Sequence, residues 1–207
     1  MTTSPLFLVP LSLEARAVAR GASGAEIQRI GMGPVKATAA RAKIANTAVP
    51  GRPIVVIGLG GGLVEGLTPG DVVVASELQV TTGASPIALD YAEEVSTMLS
   101  AAGLVVHQEP VVCSPKIITG AAERTQAGSQ GAIAVDMESY WCAPLAGQHP
   151  FAVVRVLLDL PEYELFSLRL PRTVRRAWRS LVRVSRALDA WSPITLNTAA
   201  HTKVGEA

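Results

Sequence analysis

The chain has 207 residues, of which 49% are hydrophobic and 17% charged, and this composition predicts one folded domain with a substantial core. The formal net charge of +1 argues against a general nucleic-acid-binding protein. The two cysteines and three dispersed histidines form neither a disulfide framework nor a zinc signature, so we expect no metal and a reducing compartment. No basic residue precedes the first short apolar segment, so we predict no signal peptide and a cytoplasmic protein.

Apolar runs of strand length alternate with helical patterns along the chain. Most of these runs are continuous, as in strands that are buried on both faces. In chain order they are LFLV (6–9), PIVVIG (53–58), DVVVAS (71–76), LVVH (104–107), AIAV (132–135) and FAVVRVLL (151–158). One helical pattern begins at Ser12 and a second begins at Pro34. A third ends at Gly103, a fourth ends near Pro144, and the last covers 171–191. This alternation predicts one layered α/β domain over residues 1–191, followed by a flexible tail at 192–207.

Two glycine-rich segments follow predicted strands, GMGP (31–34) and GLGGGL (58–63). The second is not a dinucleotide-binding fingerprint, because Leu63 takes the place of the third glycine, and it is not a phosphate loop, because no Gly-Lys-Ser/Thr follows. One interpretation is a flexible turn. The other is that side chains are absent so that backbone N–H groups can approach a ligand at the end of a strand.

Two acids, Asp136 and Glu138, come directly after the apolar run AIAV, within the sequence AVDMES. A carboxylate removed from water needs a partner, because its desolvation costs several kcal/mol. Either these acids favour the positive end of the next helix, or they face a ligand.

Five segments, taken in order, resemble the superfamily of nucleoside phosphorylases and 5′-methylthioadenosine/S-adenosylhomocysteine nucleosidases. They are VPLSLEARAV, RIGMGPVKATAA, VVIGLGGGLVEGLTPGDVVV, AIAVDMES and FAVVRVLLD, and they run from about residue 6 to 159. The hopanoid-associated nucleosidase branch is similar as well. The resemblance implies a three-layer α/β/α sandwich around a central mixed sheet, to which the residues of this chain add a basic amphipathic helix at the C-terminus. It also implies a homodimer that cleaves the bond between a ribose and a base without metal or organic cofactor.

The resemblance assigns a role to several residues of this sequence. Glu14 would activate the attacking water, and Asp159 would protonate the departing base. Glu138 would bind both ribose hydroxyls, since one carboxylate offers two acceptors to two donors. Met137 would pack against the sugar. Further substrate contacts are expected from Asp136, Gly60 and Ile118.

The sequence also departs from the family. Phosphorylases of the family hold phosphate with an arginine and a serine beside the first glycine loop. Both residues are absent here. Hydrolysis of a 5′-substituted adenosine or similar purine nucleoside is therefore favoured over phosphorolysis. Leu59 and Leu158 replace serines that relatives tend to carry, and the segment 79–103 is short. These changes leave open a non-catalytic homologue that binds nucleosides or associates with membranes.

The predicted last helix, 171–191, holds six arginines and one aspartate, a local balance of +5. The arginines recur every three or four residues and share a face opposite apolar residues such as Trp178 and Leu181. The helix could dock on the sheet with a solvated basic face. It could instead contact an anionic membrane surface, as basic amphipathic helices with tryptophan do.

Overall fold

The computed structural model describes residues 4–161 and 170–193. The strands are β1 (Leu6–Val9), β2 (Glu26–Arg29), β3 (Ile54–Gly62), β4 (Val72–Val80), β5 (Ile87–Ala88), β6 (Val106–Cys113), β7 (Ala134–Asp136) and β8 (Phe151–Asp159). The helices are α1 (Ser12–Gly21), α2 (Pro34–Thr47), α3 (Ala92–Ala101), α4 (Ala121–Ala127), α5 (Ser139–Cys142) and α6 (Leu170–Leu188), and a 3-10 helix covers Ala143–Gly147.

The strands form one mixed sheet that closes on itself. Parallel β3 and β8 lie at its centre, β8 pairs antiparallel with β4, and β4 pairs parallel with β6. The short strand β7 then joins β6 to the far end of β3, which completes a ring of five strands. Strands β1 and β2 extend from β3, and β5 pairs with β4. The predicted mixed sheet is therefore confirmed.

Two apolar cores lie on opposite faces of the sheet. One contains Phe7 and Val9 of β1 together with buried residues of α1, α3 and α6. The other contains Leu6 and Leu8 of the same strand together with residues of α2 and α5. Successive side chains of a strand point to opposite faces, so a strand that serves both cores must be apolar throughout. This explains the continuous apolar runs and confirms the predicted layered α/β fold.

Several predicted boundaries differ from the structure. The glycine run 58–62 continues strand β3 rather than forming a loop. The pattern IALDYAEEVSTMLSAAG (87–103) predicts a helix from Ile87, but the segment starts with the short strand β5, and helix α3 begins only at Ala92. The last helix spans Leu170–Leu188 rather than 171–191, and residues 194–207 of the predicted tail lie outside the described residues.

Helix α6 is docked on the sheet. Its residues Ala177, Leu181, Val184 and Leu188 are buried in the same core as α1 and α3. Beyond the helix, the Trp191 ring is also buried, and its Nε1 donates to Glu94 of α3 at 3.1 Å. The six arginines all lie on the exposed side. No helix in the described part of the chain is long and apolar enough to cross a membrane.

Candidate active site

The carboxyl ends of β3, β7 and β8 surround one cavity of about 180 Å³. Its wall combines a few acids with mostly apolar side chains from α1, β3 and the segment before α4. All seven residues singled out in the sequence line it, namely Glu14, Gly60, Ile118, Asp136, Met137, Glu138 and Asp159. A neighbouring groove of about 460 Å³ shares Lys116 and Ile118 with this cavity but contains none of the seven except Ile118.

Glu14 is held by the backbone at two points. The N–H of Leu59 donates to its Oε1 at 2.7 Å, and the N–H of Leu11 donates to its Oε2 at 2.7 Å. A side chain at Gly58 would begin 2.8 Å from Glu14 Oε1 and 2.8 Å from Nη1 of Arg155. The absence of a side chain at Gly58 therefore makes room for Glu14 and Arg155, a role that neither interpretation of this glycine run included.

Burial raises the pKa of Glu14 above its ordinary value, and the Leu59 N–H and the charge of Arg155 offset only part of this effect. A carboxylate with a raised pKa is a stronger base than an exposed glutamate. Glu14 is therefore suited to accept a proton from water near neutral pH.

Glu138 is fixed by the first glycine segment. The N–H of Gly33 donates to its Oε1 at 2.9 Å, and Gly33 has a φ of 87°, which favours glycine. The other oxygen, Oε2, lies 3.6 Å from Arg155. Burial raises the pKa of Glu138 to about 7, against the lowering effect of Arg155. Glu138 precedes the next helix, but its side chain does not cap that helix, because its Oε1 accepts from the N–H of Gly33, 105 positions away.

Asp136 has internal partners instead. Nε of Arg155 donates to its Oδ2 at 2.7 Å, and the hydroxyl of Ser139 donates to the same oxygen. The N–H groups of Glu138 and Ser139 approach Oδ1 at 3.3 and 3.4 Å, at the start of α5. The helix-end interpretation thus fits Asp136, whose contacts orient the segment that carries Glu138.

Asp159 lies at the end of β8, where the register against β3 shifts between Gly60 and Gly61, so that Asp159 pairs with Gly61. The residue is 8% exposed. Its Oδ2 accepts from Nη2 of Arg124, a buried residue of α4. The structure thus places a fourth carboxyl group at the cavity, and a guanidinium stands beside it.

Two arginines of this site were not predicted from the sequence. Arg155 is fully buried within the apolar run FAVVRVLL, and a charged residue in a run buried on both faces is a signal that it needs acidic partners. Burial opposes its charge, but Asp136, Glu138 and Glu14 together raise the pKa of the guanidinium. Arg124 gives no such signal, because the sequence AAERTQAG is typical of an exposed helix. Among the described residues, no group of histidine, cysteine and acidic side chains could hold a metal ion.

The model of the phosphorylase superfamily matches residues 25–184 of this chain. Among curated proteins, none matches the chain significantly. Solved structures do match it over most of its length. One is the 5′-methylthioadenosine/S-adenosylhomocysteine nucleosidase of Neisseria meningitidis, solved in complex with methylthio-immucillin-A. It is 17% identical, with a TM-score of 0.76, and the match covers 92% of this chain and 100% of that one.

Two further structures show how widely the fold is shared. The futalosine hydrolase of Helicobacter pylori strain 26695 is 14% identical, with a TM-score of 0.76, and the match covers 91% of this chain and 97% of that chain. The Streptococcus pneumoniae MTA/SAH nucleosidase, in complex with 8-aminoadenine, is 17% identical, with a TM-score of 0.70 and coverage of 90% and 100%. These likenesses establish the fold of the chain.

Proposed function

Since this chain belongs to the phosphorylase superfamily, we propose that it is a nucleosidase that hydrolyses the N-glycosidic bond of a 5′-substituted adenosine or similar purine nucleoside. The observation that carries the proposal is the convergence of Glu14, Glu138 and Asp159 on one largely apolar cavity. The solved structures of similar fold include nucleosidases and a hydrolase, which supports the same class of reaction.

Each of the three acids has surroundings that suit one step. Glu14, whose burial raises its pKa, takes a proton from the attacking water. Glu138 accepts hydrogen bonds from the two ribose hydroxyls, and Met137 packs against the sugar beside it. Asp159 gives a proton to the departing base, which would otherwise leave as an anion. Gly60 and Ile118 complete the wall, and Asp136 orients Glu138 through Arg155 and Ser139.

Hydrolysis is favoured over phosphorolysis by the charges around the cavity. Among its described lining residues the only cation is Lys116, whose Nζ already pairs with Glu123 at 3.0 Å. Arg155 and Arg124 lie close by but do not line the cavity, and both bind carboxylates of this chain. A phosphate dianion needs free donors or positive charge, and this wall offers little of either.

We therefore expect cleavage of 5′-substituted adenosines in buffer without phosphate, with free base and free sugar as products. The measurement is chromatography of both products with and without phosphate. Ribose 1-phosphate as the product, with turnover that stops when phosphate is removed, would mean a phosphorylase. Binding of nucleosides without any turnover would instead identify the non-catalytic homologue.

The apolar wall favours an apolar 5′ substituent. Leu59 and Leu158 line the cavity where related enzymes tend to carry serine, and Leu11 and Met32 add partly exposed apolar surface at its edge. An apolar cavity binds an apolar group better than a small polar one. This preference agrees with a place in the hopanoid-associated branch, which stays a prediction. The expected homodimer in the cytoplasm is likewise proposed from the family resemblance, and light scattering would measure the mass in solution.

We further propose that the exposed side of α6 binds an anionic membrane surface, which would bring the enzyme close to substrates with a large apolar group. Arg172, Arg175 and Arg179 are exposed on this side, whereas Arg183 also donates to the carbonyl groups of Ala102 and Gly103. A basic helix face near an anionic surface gains about 1 kcal/mol per arginine.

The protein is expected to float with vesicles that contain anionic lipid and not with neutral vesicles. Replacing Arg172, Arg175 and Arg179 by Gln should weaken this binding by roughly 100-fold, because three contributions of about 1 kcal/mol are lost. The matched control replaces Lys36, Arg41 and Lys43 of α2, which lies on the opposite face of the sheet. Equal binding to both vesicle types, or equal losses in both triple variants, would rule out a dedicated surface on α6.

A further inference from the structure

Arg124 of helix α4 stands directly behind Asp159 and is 2% exposed. Its Nη2 donates to Oδ2 of Asp159, and its Nη1 donates to the carbonyl oxygen of Gly62 at 2.6 Å. The same guanidinium thus binds the end of β8 and the end of β3. Arg124 itself does not line the cavity, whereas its partner Asp159 does.

We propose that Arg124 is the positioning residue of the reaction: it holds Asp159 so that Oδ1, and not Oδ2, carries the proton that is given to the base. This inference rests on the proposed nucleosidase activity. A guanidinium has only donors, so the oxygen that accepts from it cannot also direct a proton toward it. The transferable proton is therefore expected on Oδ1, the oxygen that does not accept from Arg124. That oxygen lies 3.2 Å from the point where a side chain at Gly61 would begin, and Gly61 lines the cavity.

The position of α4 gives this contact a second consequence. The segment that leads into α4 supplies Ile117 and Ile118 to the cavity wall, where the base is expected to bind. Arg124 therefore connects Asp159 to the helix that follows this wall segment. Leu158, which precedes Asp159, has no hydroxyl with which to orient the acid, and the guanidinium supplies the polar contact instead.

The free-energy cost of burying the Arg124 guanidinium also favours a role for it beyond packing. A buried ion pair is a weak source of stability compared with apolar residues of the same volume. In addition, Nε of Arg124 is buried without a hydrogen-bond partner among the described residues. Apolar side chains could fill the same space without either penalty, so the guanidinium is best explained by what it does to Asp159.

The test compares Arg124→Met and Arg124→Lys on two substrates, a purine nucleoside and a nitrophenyl riboside whose leaving group needs no proton. Arg124→Met should lower kcat for the purine nucleoside by about 10- to 100-fold, because misplacing a catalytic group by roughly 1 Å can cost 10²-fold. KM should change little, and the nitrophenyl riboside should be cleaved almost as fast as by the parent enzyme. Arg124→Lys keeps a cationic donor and should recover part of the purine activity.

The matched control is Arg52→Met, which breaks an arginine–carboxylate pair with Glu26 outside the cavity and should leave both substrates unaffected. Equal losses on both substrates, or no loss on either, would overturn the positioning role. If Arg124→Met does not fold, the Arg124→Lys variant decides by the same comparison. If the parent enzyme cleaves neither substrate, the nucleosidase proposal fails. The crystal structure of Arg124→Met then decides the positioning role, and an unmoved Asp159 carboxyl group would overturn it.

Discussion

Replacing Asp159 by Asn is expected to slow the cleavage of a purine nucleoside by about 10²–10⁴-fold, the usual contribution of a general acid. The amide oxygen of Asn can still accept from Nη2 of Arg124, so the side chain should keep its orientation. What it loses is a proton that it can transfer. A nitrophenyl riboside, whose leaving group departs without protonation, should be cleaved at nearly the parent rate.

The measurement is single-turnover cleavage of both substrates. Asp90→Asn serves as the control, because Asp90 is exposed and does not line the cavity. Thermal unfolding should accompany the kinetics, since a buried ion pair that loses one charged partner can lose about 3–5 kcal/mol of stability. Equal losses on the two substrates would show that Asp159 acts through structure rather than as an acid.

Replacing Glu14 by Gln should reduce the chemical step by about 10²–10⁴-fold on both substrates, because the attack of water is common to them. This separates Glu14 from Asp159, whose loss should spare the nitrophenyl riboside. The amide of Gln can accept from only one of the two N–H donors that Glu14 satisfies, those of Leu11 and Leu59. Some stability should therefore be lost as well, about 1–3 kcal/mol for one buried unsatisfied donor.

The pH profile provides the second measurement for Glu14. Burial raises the pKa of Glu14 above its ordinary 4.5, and a base must be ionised, so the rate should rise with pH in a range above that value. Glu138, with a pKa raised by burial to about 7, contributes a second acidic limb that the Glu14→Gln variant retains. The exposed Glu65→Gln variant should show both limbs. Unchanged rates in a folded Glu14→Gln protein would falsify the assignment of Glu14 as the base.

The same shifts fix the sign of the stability change with pH. Between about 4.5 and 7 the folded protein keeps a proton on Glu138 that the unfolded chain has released, and the raised pKa of Glu14 acts in the same direction. The folded state binds more protons there, so the contribution of these groups to the free energy of unfolding falls as pH rises through this range. Below the range this contribution is fully present. In the Glu14→Gln variant the part due to Glu14 is missing.

Much of the fold could be predicted from the sequence because its strands are buried on both faces. The runs that became β1, β3 and β8 are continuous and apolar, and this pattern is hard to mistake for a surface element. The closure of the sheet could not be predicted in the same way. It depends on three-residue β7, which joins β3 to β6 through pairings between residues far apart in the chain. The local pattern carries no information about such pairings.

Part of the candidate site could likewise be predicted from the sequence, and part could not. Glu14, Glu138 and Asp159 could be singled out because each lies in a segment that resembles the nucleoside phosphorylase and nucleosidase superfamily. Their partners are less visible. The contact between Glu138 and the Gly33 N–H spans 105 residues, and Arg124 reaches Asp159 from a short helix with an unremarkable surface pattern. Side-chain contacts across such distances follow from the packed fold and not from spacing in the chain.

The closed ring of strands also limits how this chain can misassemble. A strand with unpaired N–H and C=O groups is a template for adding strands from other molecules, and a ring offers none. Among the described strands only β2 and β5 pair on one side alone. Strand β2 is only four residues long and carries two charged residues, and β5 is only two residues long. A chain with 49% hydrophobic residues is thus protected from edge-to-edge fibril growth by the geometry of its sheet, and its surface composition does not have to provide that protection alone.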